Sequence, residues 1–256
     1  PNLNWNCKPM VKTAIILAAG FGSRLGDLTN EMPKGFMKVG NNSLINRSVE
    51  CLLRNGINNI YIGTGHLSEH YDEFASRYPS VVSCVKNDRY ASSSSMDTLY
   101  NLREIVNEDF FLLESDLLYE DRALSSLREA DQQNMVLASG KTFSGDEVYI
   151  SADDTGSLLS MTKSQAAADS AFGELVGISK VSFEAYQEMC TIFSRHGPLN
   201  IDYEYVMTHV KEPNNFIVYK IDGLAWCEID DTNHLMRATN EVIHAVDAAN
   251  DLYRRY

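Results

Sequence analysis

Basic residues are scarce in this chain: 22 lysines and arginines stand against 35 aspartates and glutamates, a formal charge of −13 at pH 7. That balance excludes a broad electrostatic surface for nucleic acid or anionic lipid, so an anionic ligand has to be met by a local basic pocket in an acidic protein. Cysteine is present but unpatterned. Cys7, Cys51, Cys84, Cys190 and Cys227 are odd in number and lack C-x-x-C spacing, which excludes a disulfide framework or zinc site and fits a reducing, cytoplasmic setting. No apolar run reaches membrane-spanning length, and residues 1–9 lack the charged start and apolar centre of a signal peptide. Those nine residues read as an N-terminal arm or linker remnant. The start at Pro1, with no initiator methionine, implies a processed chain or part of a larger polypeptide. Internal repeats and long linkers are also absent. With 256 residues and 44% hydrophobic content, residues 10–256 are expected to build one domain around a large core.

What is present is an alternation. The continuous apolar run 13–18 predicts a strand covered on both faces, 43–54 a helix stopped by Asn55-Gly56, and 57–63 a second strand. A helix over 68–78, a strand over 81–85, a helix over 96–106 and a strand over 110–116 continue the rhythm. Four alternations predict an α/β fold, a Rossmann-like doubly wound sheet whose ligands lie beyond the carboxyl ends of the strands. After Asp121 the pattern changes to short strand candidates at 135–138, 148–150 and 158–161, separated by Ser, Gly and Asp turns. They predict a β-hairpin elaboration over the site, with 174–178 returning to the sheet. Helices over 181–194 and 203–210, a strand over 216–221 and a final helix from about Thr232 complete the expectation.

The most specific stretch is Leu17-Ala18-Ala19-Gly20-Phe21-Gly22-Ser23-Arg24-Leu25-Gly26, followed shortly by Met32-Pro33-Lys34. Glycines let backbone approach a polyanion, Ser23 adds a hydroxyl, and Arg24 and Lys34 add charge. The motif is not a Rossmann fingerprint, because Leu25 stands where the third glycine belongs, and no Walker A run occurs. A plain Gly-rich turn with a surface arginine would not require Leu-Ala-Ala before it and Pro-Lys after it. A nucleoside triphosphate is the expected ligand.

This signature resembles that of the nucleotidylyltransferases, which join a nucleoside triphosphate to a phosphorylated small molecule and release pyrophosphate. The resemblance runs from about Met10 to about Ala238, with Gly35 a departure where the family more often has alanine; a change in loop stiffness rather than chemistry is expected there. It implies a mixed sheet, Mg²⁺ as cofactor, and a metal held by Asp116 and Asp230, each closing an apolar stretch. Magnesium takes few protein ligands and suits carboxylates on rigid elements. Helix capping is the alternative for such aspartates, most of all for Asp231. The resemblance further gives Lys34 the α-phosphate, Arg24 the β- and γ-phosphates, and Lys163 the acceptor's phosphoryl group; a solvated hairpin lysine is the alternative for Lys163.

The base is expected to be read near Leu17, Ala18, Ala19 and Gly20 and along 87–96, with Asp88, Ser94 and Ser95 as candidates. That small, hydroxyl-lined segment suits a pyrimidine, although four consecutive serines also make ordinary turns and caps. The acceptor is open from residues alone. A quaternary ammonium calls for an aromatic cage and a primary ammonium for carboxylates. Acidic candidates are Glu174, Asp202 and Glu204, with Glu228, and aromatic ones Tyr149, Phe172, Tyr203 and Trp226. The run Phe172-Gly173-Glu174-Leu175-Val176-Gly177-Ile178 resembles the family's acceptor stretch, and the whole chain is similar to the 2-aminoethylphosphonate cytidylyltransferase branch, ahead of phosphocholine and sugar-1-phosphate enzymes. The implied partners are CTP and a phosphonate or phosphate monoester, for phosphonate tailoring of lipid or glycan. A catalytically silent nucleotide sensor is the rival from another class.

Overall fold

In the computed structural model, residues 10–145, 147–197 and 199–253 are described; the expected arm at 1–9 lies outside them. The first apolar run forms β1 (Thr13–Ala18), buried at every position. Ala14, Ile16 and Ala18 enter one core while Ile15 and Leu17 enter another, as alternation on a doubly covered strand requires. Two short strands, β2 (Lys38–Val39) and β3 (Asn42–Ser43), precede α1 (Leu44–Arg54), whose N-cap Ser43 accepts from the Asn46 N–H. Then come β4 (Asn59–Thr64), α2 (Ser68–Ala75), β5 (Val82–Lys86), α3 (Ser95–Tyr100), β6 (Phe110–Glu114), β7 (Leu117–Tyr119) and α4 (Arg122–Glu129). The second half holds β8 (Met135–Ser139), β9 (Tyr149–Ala152), β10 (Leu158–Thr162), β11 (Gly173–Val181), α5 (Phe183–His196), α6 (Tyr203–Met207), β12 (Ile217–Ile221), β13 (Trp226–Glu228), α7 (Thr232–Arg237) and α8 (Ile243–Tyr253).

The main sheet is mixed, as expected. β5, β4, β1 and β6 run parallel; β11 is antiparallel to β6 and β8, and β12 lies parallel to β8. α1, α2 and α4 cover one face, and α3, α5 and α6 the other. The end of β11 changes partners. Gly173 and Glu174 pair with β9, whereas Ile178 to Val181 pair with β6 on the same edge. Between them the register shifts, and Gly177 takes φ +82°, a conformation that glycine adopts without strain. The expected hairpin, β9 with β10, is therefore carried on the upper half of β11.

Several boundaries differ from expectation for physical reasons. The helix expected over 96–106 stops at Tyr100, although Leu102 and Val106 stay buried; the apolar spacing persists while the backbone tightens into turns. The strand expected over 110–116 divides, β6 ending at Glu114 and β7 leaving to pair with β13. Ser182 caps α5 through the Ala185 N–H, so β11 continues to Val181. The long final helix is interrupted by a π turn over Ala238–Val242. α4 was not legible: eight residues with three buried apolar anchors, Ala123, Leu124 and Leu127, hold too few turns to show a period. Among the described residues no helix is long and apolar enough to cross a membrane.

Candidate active site

The phosphate-loop candidate leaves β1 and closes on itself. Gly22 sits at φ +66°, its carbonyl accepting from the Leu25 N–H at 2.9 Å and from Thr29 Oγ1 at 3.0 Å. The stem of Lys34 crosses directly over it: a Cβ on Gly22 would lie 2.8 Å from Lys34 Cγ and 2.9 Å from Thr29 Cγ2. Gly22→Ala is therefore expected to cost about 1–3 kcal/mol of stability and to displace Lys34, measured by thermal melting and nucleotide affinity. Gly35 is equally committed to packing. A Cβ there would stand 2.8 Å from the Tyr71 hydroxyl, so its departure from alanine makes room for a buried tyrosine, and loop stiffness is not the reason for it.

Lys34 Nζ donates to Asp116 Oδ2 at 2.8 Å and to Asp230 Oδ1. Arg24 reaches Asp230 Oδ2 at 2.8 Å. Two carboxylates far apart in sequence meet because β7 and β13 form a separate antiparallel ribbon, closed by the Ile229 N–H donating to the Asp116 carbonyl at 3.0 Å. The Asp230 N–H donates to His234 Nδ1 at 3.3 Å. Burial works against the Lys34 charge, but Asp116 and Asp230 more than offset it and hold the ammonium above its ordinary range. Burial likewise raises the Asp230 carboxyl, and Lys34 overcomes that, leaving it well below the usual carboxylate range. Asp231 proves to be the N-cap of α7, accepting from the His234 N–H at 2.8 Å.

A cleft of about 360 Å³ opens beside this cluster, lined by Leu17, Ala18, Ala19, Gly20 and Gly22, and by Ser94 and Ser95 across from them. Ser23 and Asp88 are not in its wall. Ser23 opens the 3₁₀ turn after Gly22, and Asp88 is exposed in the turn after β5. The serines have structural duties too. The Ser94 N–H donates to the Leu199 carbonyl at 3.1 Å and Ser95 Oγ to Asp202 Oδ1 at 3.1 Å. Phe21, exposed in the phosphate loop, stacks on His66 and Tyr90 with centroids 5.1 and 5.2 Å away, a contact no sequence period announces.

A second, smaller cavity of about 60 Å³ continues from the first, and Glu114, Lys163 and Glu204 line both. It brings together Glu174, Trp226 and Glu228, with Lys163 at the junction. Tyr149 lies one wall away, in a hollow that Glu174 also borders, with its hydroxyl donating to Glu147 Oε2 at 3.3 Å. Glu174 Oε2 accepts from the Thr142 N–H at 2.8 Å, and burial raises its carboxyl. Thr142, Ser144, Glu147, Glu204, His234 and Arg237 also line the cavity. Sequence reasoning had weighed only Glu204 among them, because the others come from loops and a helix with no shared pattern.

The carboxylates around the two cavities are unusual. Burial and the Asp116 charge push Glu114 up to about 7. Burial and the Glu114 charge push Glu204 up to about 8, and Glu228 is raised well above its ordinary value by burial and Asp116. Oxygens of Glu114, Asp116 and Glu228 lie within 4.8 Å of one another, and Asp116 Oδ1 is buried without a hydrogen-bond partner. Such a set of hard, converging oxygens fits a divalent cation.

Residues 13–147 match the family described as nucleotidyl transferase. The chain is 24% identical over 242 residues to the CTP:phosphoglutamine cytidylyltransferase of Campylobacter jejuni, covering 85% of this chain and 95% of that protein. It is 35% identical over 108 residues to the choline-phosphate cytidylyltransferase of Streptococcus pneumoniae, 42% of this chain and 46% of that protein. To the 2-aminoethylphosphonate cytidylyltransferase of Lancefieldella rimae it is 29% identical over 154 residues, covering 59% and 60%. Among solved structures, the fold is like that of the CTP:phosphocholine cytidylyltransferase from S. pneumoniae, with a TM-score of 0.75 at 22% identity over 90% of this chain and 97% of that one. The family match runs through the phosphate loop, Lys34 and Asp116, the parts that the fold gathers at one sheet edge, and so this chain belongs to the nucleotidyl transferase family of enzymes.

Proposed function

We propose that this protein is a magnesium-dependent cytidylyltransferase that moves CMP from CTP to a small phosphonate or phosphate bearing an ammonium group, with 2-aminoethylphosphonate as its acceptor, and releases pyrophosphate. The observation that carries the acceptor class is the second cavity. Glu114, Glu147, Glu174, Glu204 and Glu228 line it, while Trp226 is the one indole or phenyl ring among its described residues. Carboxylates suit a primary ammonium that donates hydrogen bonds; a quaternary ammonium needs a cage of aromatic faces. The relatives, which include phosphonate, choline-phosphate and phosphoglutamine cytidylyltransferases, support cytidylyl transfer in general.

In this reading CTP enters the larger cleft, its base against Ser94 and Ser95 and its phosphates against the Gly20–Gly22 loop. An ionised acceptor oxygen forms a bond to the α-phosphorus as the bond to the bridging oxygen breaks, and pyrophosphate takes that electron pair. The attacking oxygen is already anionic, so alignment and charge neutralisation are the protein's tasks. Lys34 exchanges its aspartate partners for the α-phosphate, Arg24 holds the leaving phosphates, and Lys163 steadies the acceptor's phosphoryl group. Asp116 and Asp230 would hold magnesium, with Glu114 and Glu228 beside them; bound there, the ion neutralises the reacting phosphates.

Pyrophosphate release with Mg²⁺, each of the four nucleoside triphosphates, and 2-aminoethylphosphonate, phosphocholine, phosphoethanolamine or glucose 1-phosphate tests the reading. Release is expected with CTP and 2-aminoethylphosphonate. A signal restricted to phosphocholine would move the acceptor to the quaternary class, and silence with every pair would sink the transferase assignment for these substrates.

A further inference from the structure

One residue touches both sides of the site. Tyr203, 1% exposed at the start of α6, donates its backbone N–H to Ser95 Oγ at 3.0 Å and its phenol O–H to Glu114 Oε1 at 2.5 Å. Ser95 belongs to the serine loop of the larger cleft; Glu114 lines both cavities. The connection to the loop is reinforced by its neighbours. Ser95 Oγ donates to Asp202 Oδ1, and the Met96 N–H donates to the Ile201 carbonyl at 3.2 Å. On its other side Glu114 is confined by backbone: a Cβ on Gly177 would come within 3.1 Å of its Cδ and Oε2. The carboxylate is therefore gripped by a phenol from one direction and walled by a glycine from the other.

We propose that Tyr203 is a positioning residue that sets Glu114 to receive the acceptor's ammonium and makes that setting depend on the serine loop flanking the nucleotide. The proposal rests on the second cavity being the acceptor site. A hydrogen bond to a charged acceptor in a water-poor site is strong and directional, and it fixes a side chain that would otherwise choose among rotamers. Ser95 holds the other end of the same strut. Loosening either end releases Glu114, so the two changes share one effect and do not add.

The test measures CTP affinity without acceptor, then kcat and both KM values by pyrophosphate release with the best acceptor of the panel. Tyr203→Phe, Ser95→Ala and the double variant are compared with the wild type. Tyr203→Phe is expected to raise acceptor KM about tenfold while CTP affinity stays within about twofold, the loss of one bond to a charged group. In the Ser95→Ala background the same change is expected to add less than about threefold. Glu114→Gln supplies an independent arm, since Tyr203→Phe placed in it is expected to leave acceptor KM within about twofold. Melting curves establish that each variant is folded. Fully additive effects, or in Tyr203→Phe equal shifts for CTP and acceptor or a raised Mg²⁺ requirement with unchanged acceptor KM, would each overturn the assignment. Active wild type with an unaffected Tyr203→Phe overturns this inference alone; inactivity of the wild type with every pair overturns the transferase reading and this inference together.

Discussion

Lys34→Met is expected to lower kcat/KM for pyrophosphate release by about a thousandfold or more, the size of effect seen when one oriented cation or donor is lost from a charge-developing site. Methionine keeps the length and most of the volume of the stem that crosses Gly22, so the loop retains its shape. What disappears is the single charge that bridges Asp116 and Asp230. Arg24 cannot take its place, because its half-exposed side chain meets Asp230 from the solvent side. Arginine is a poor replacement as well: its planar fork does not reproduce a tetrahedral ammonium lodged between two carboxylates. The substitution also leaves two buried carboxylates facing each other, and the metal-free variant should melt below the wild type at neutral pH. Steady-state pyrophosphate release and a melting curve in the presence of EDTA check both parts. Retention of even a tenth of wild-type kcat/KM would remove Lys34 from the centre of the reaction.

Glu204→Gln is expected to stabilise the metal-free protein by about 2–4 kcal/mol at pH 8.5 and hardly at all near pH 4, from a displacement of several pH units at about 1.4 kcal/mol each. Burial and the Glu114 charge raise this carboxyl to about 8, and its Oε2 is buried without a hydrogen-bond partner. The unfolded glutamate ionises near its ordinary value of 4.5. Between those two values the folded state binds more protons than the unfolded state, so stability falls as pH rises across the interval and levels off above it. Below about 4 both states are protonated and the penalty vanishes. Urea unfolding at several pH values reads the trend directly, and a glutamine variant with no gain at alkaline pH would refute it. The same substitution is expected to weaken acceptor binding, a stability reserve given up for function.

The half of the site contributed by β1 and its loop was legible because its meaning is local. Apolar run, glycines, Arg24 and Lys34 lie within one short stretch, and the turn out of β1 follows from it. Asp116 and Asp230 were legible as carboxylates that close apolar stretches, yet nothing in either segment announces that β7 and β13 pair and so bring them together. Strand pairing is a long-range choice, decided by which apolar faces find each other; Leu118, Cys227 and Ile229 share a third core with α8 that no local period reveals. The outer wall of the second cavity was less legible still. Thr142, Ser144 and Glu147 stand in an irregular loop, His234 and Arg237 on a helix of six residues, and their common purpose exists only in three dimensions. Tyr149 illustrates the limit of the opposite kind: on a strand, one position decides the face, and it lines a neighbouring hollow rather than the cavity that holds Trp226.

The change of partners along β11 makes the sheet divisible into two separately paired parts. The hairpin of β9 and β10 meets β11 through the short pairing at Gly173 and Glu174, whereas the strands that carry the phosphate loop have their own complete registers with β4 and β6. Lengthening, shortening or exchanging the hairpin would therefore reshape what it borders while leaving the registers of β1 with β4 and β6, and the loop that leaves β1, undisturbed.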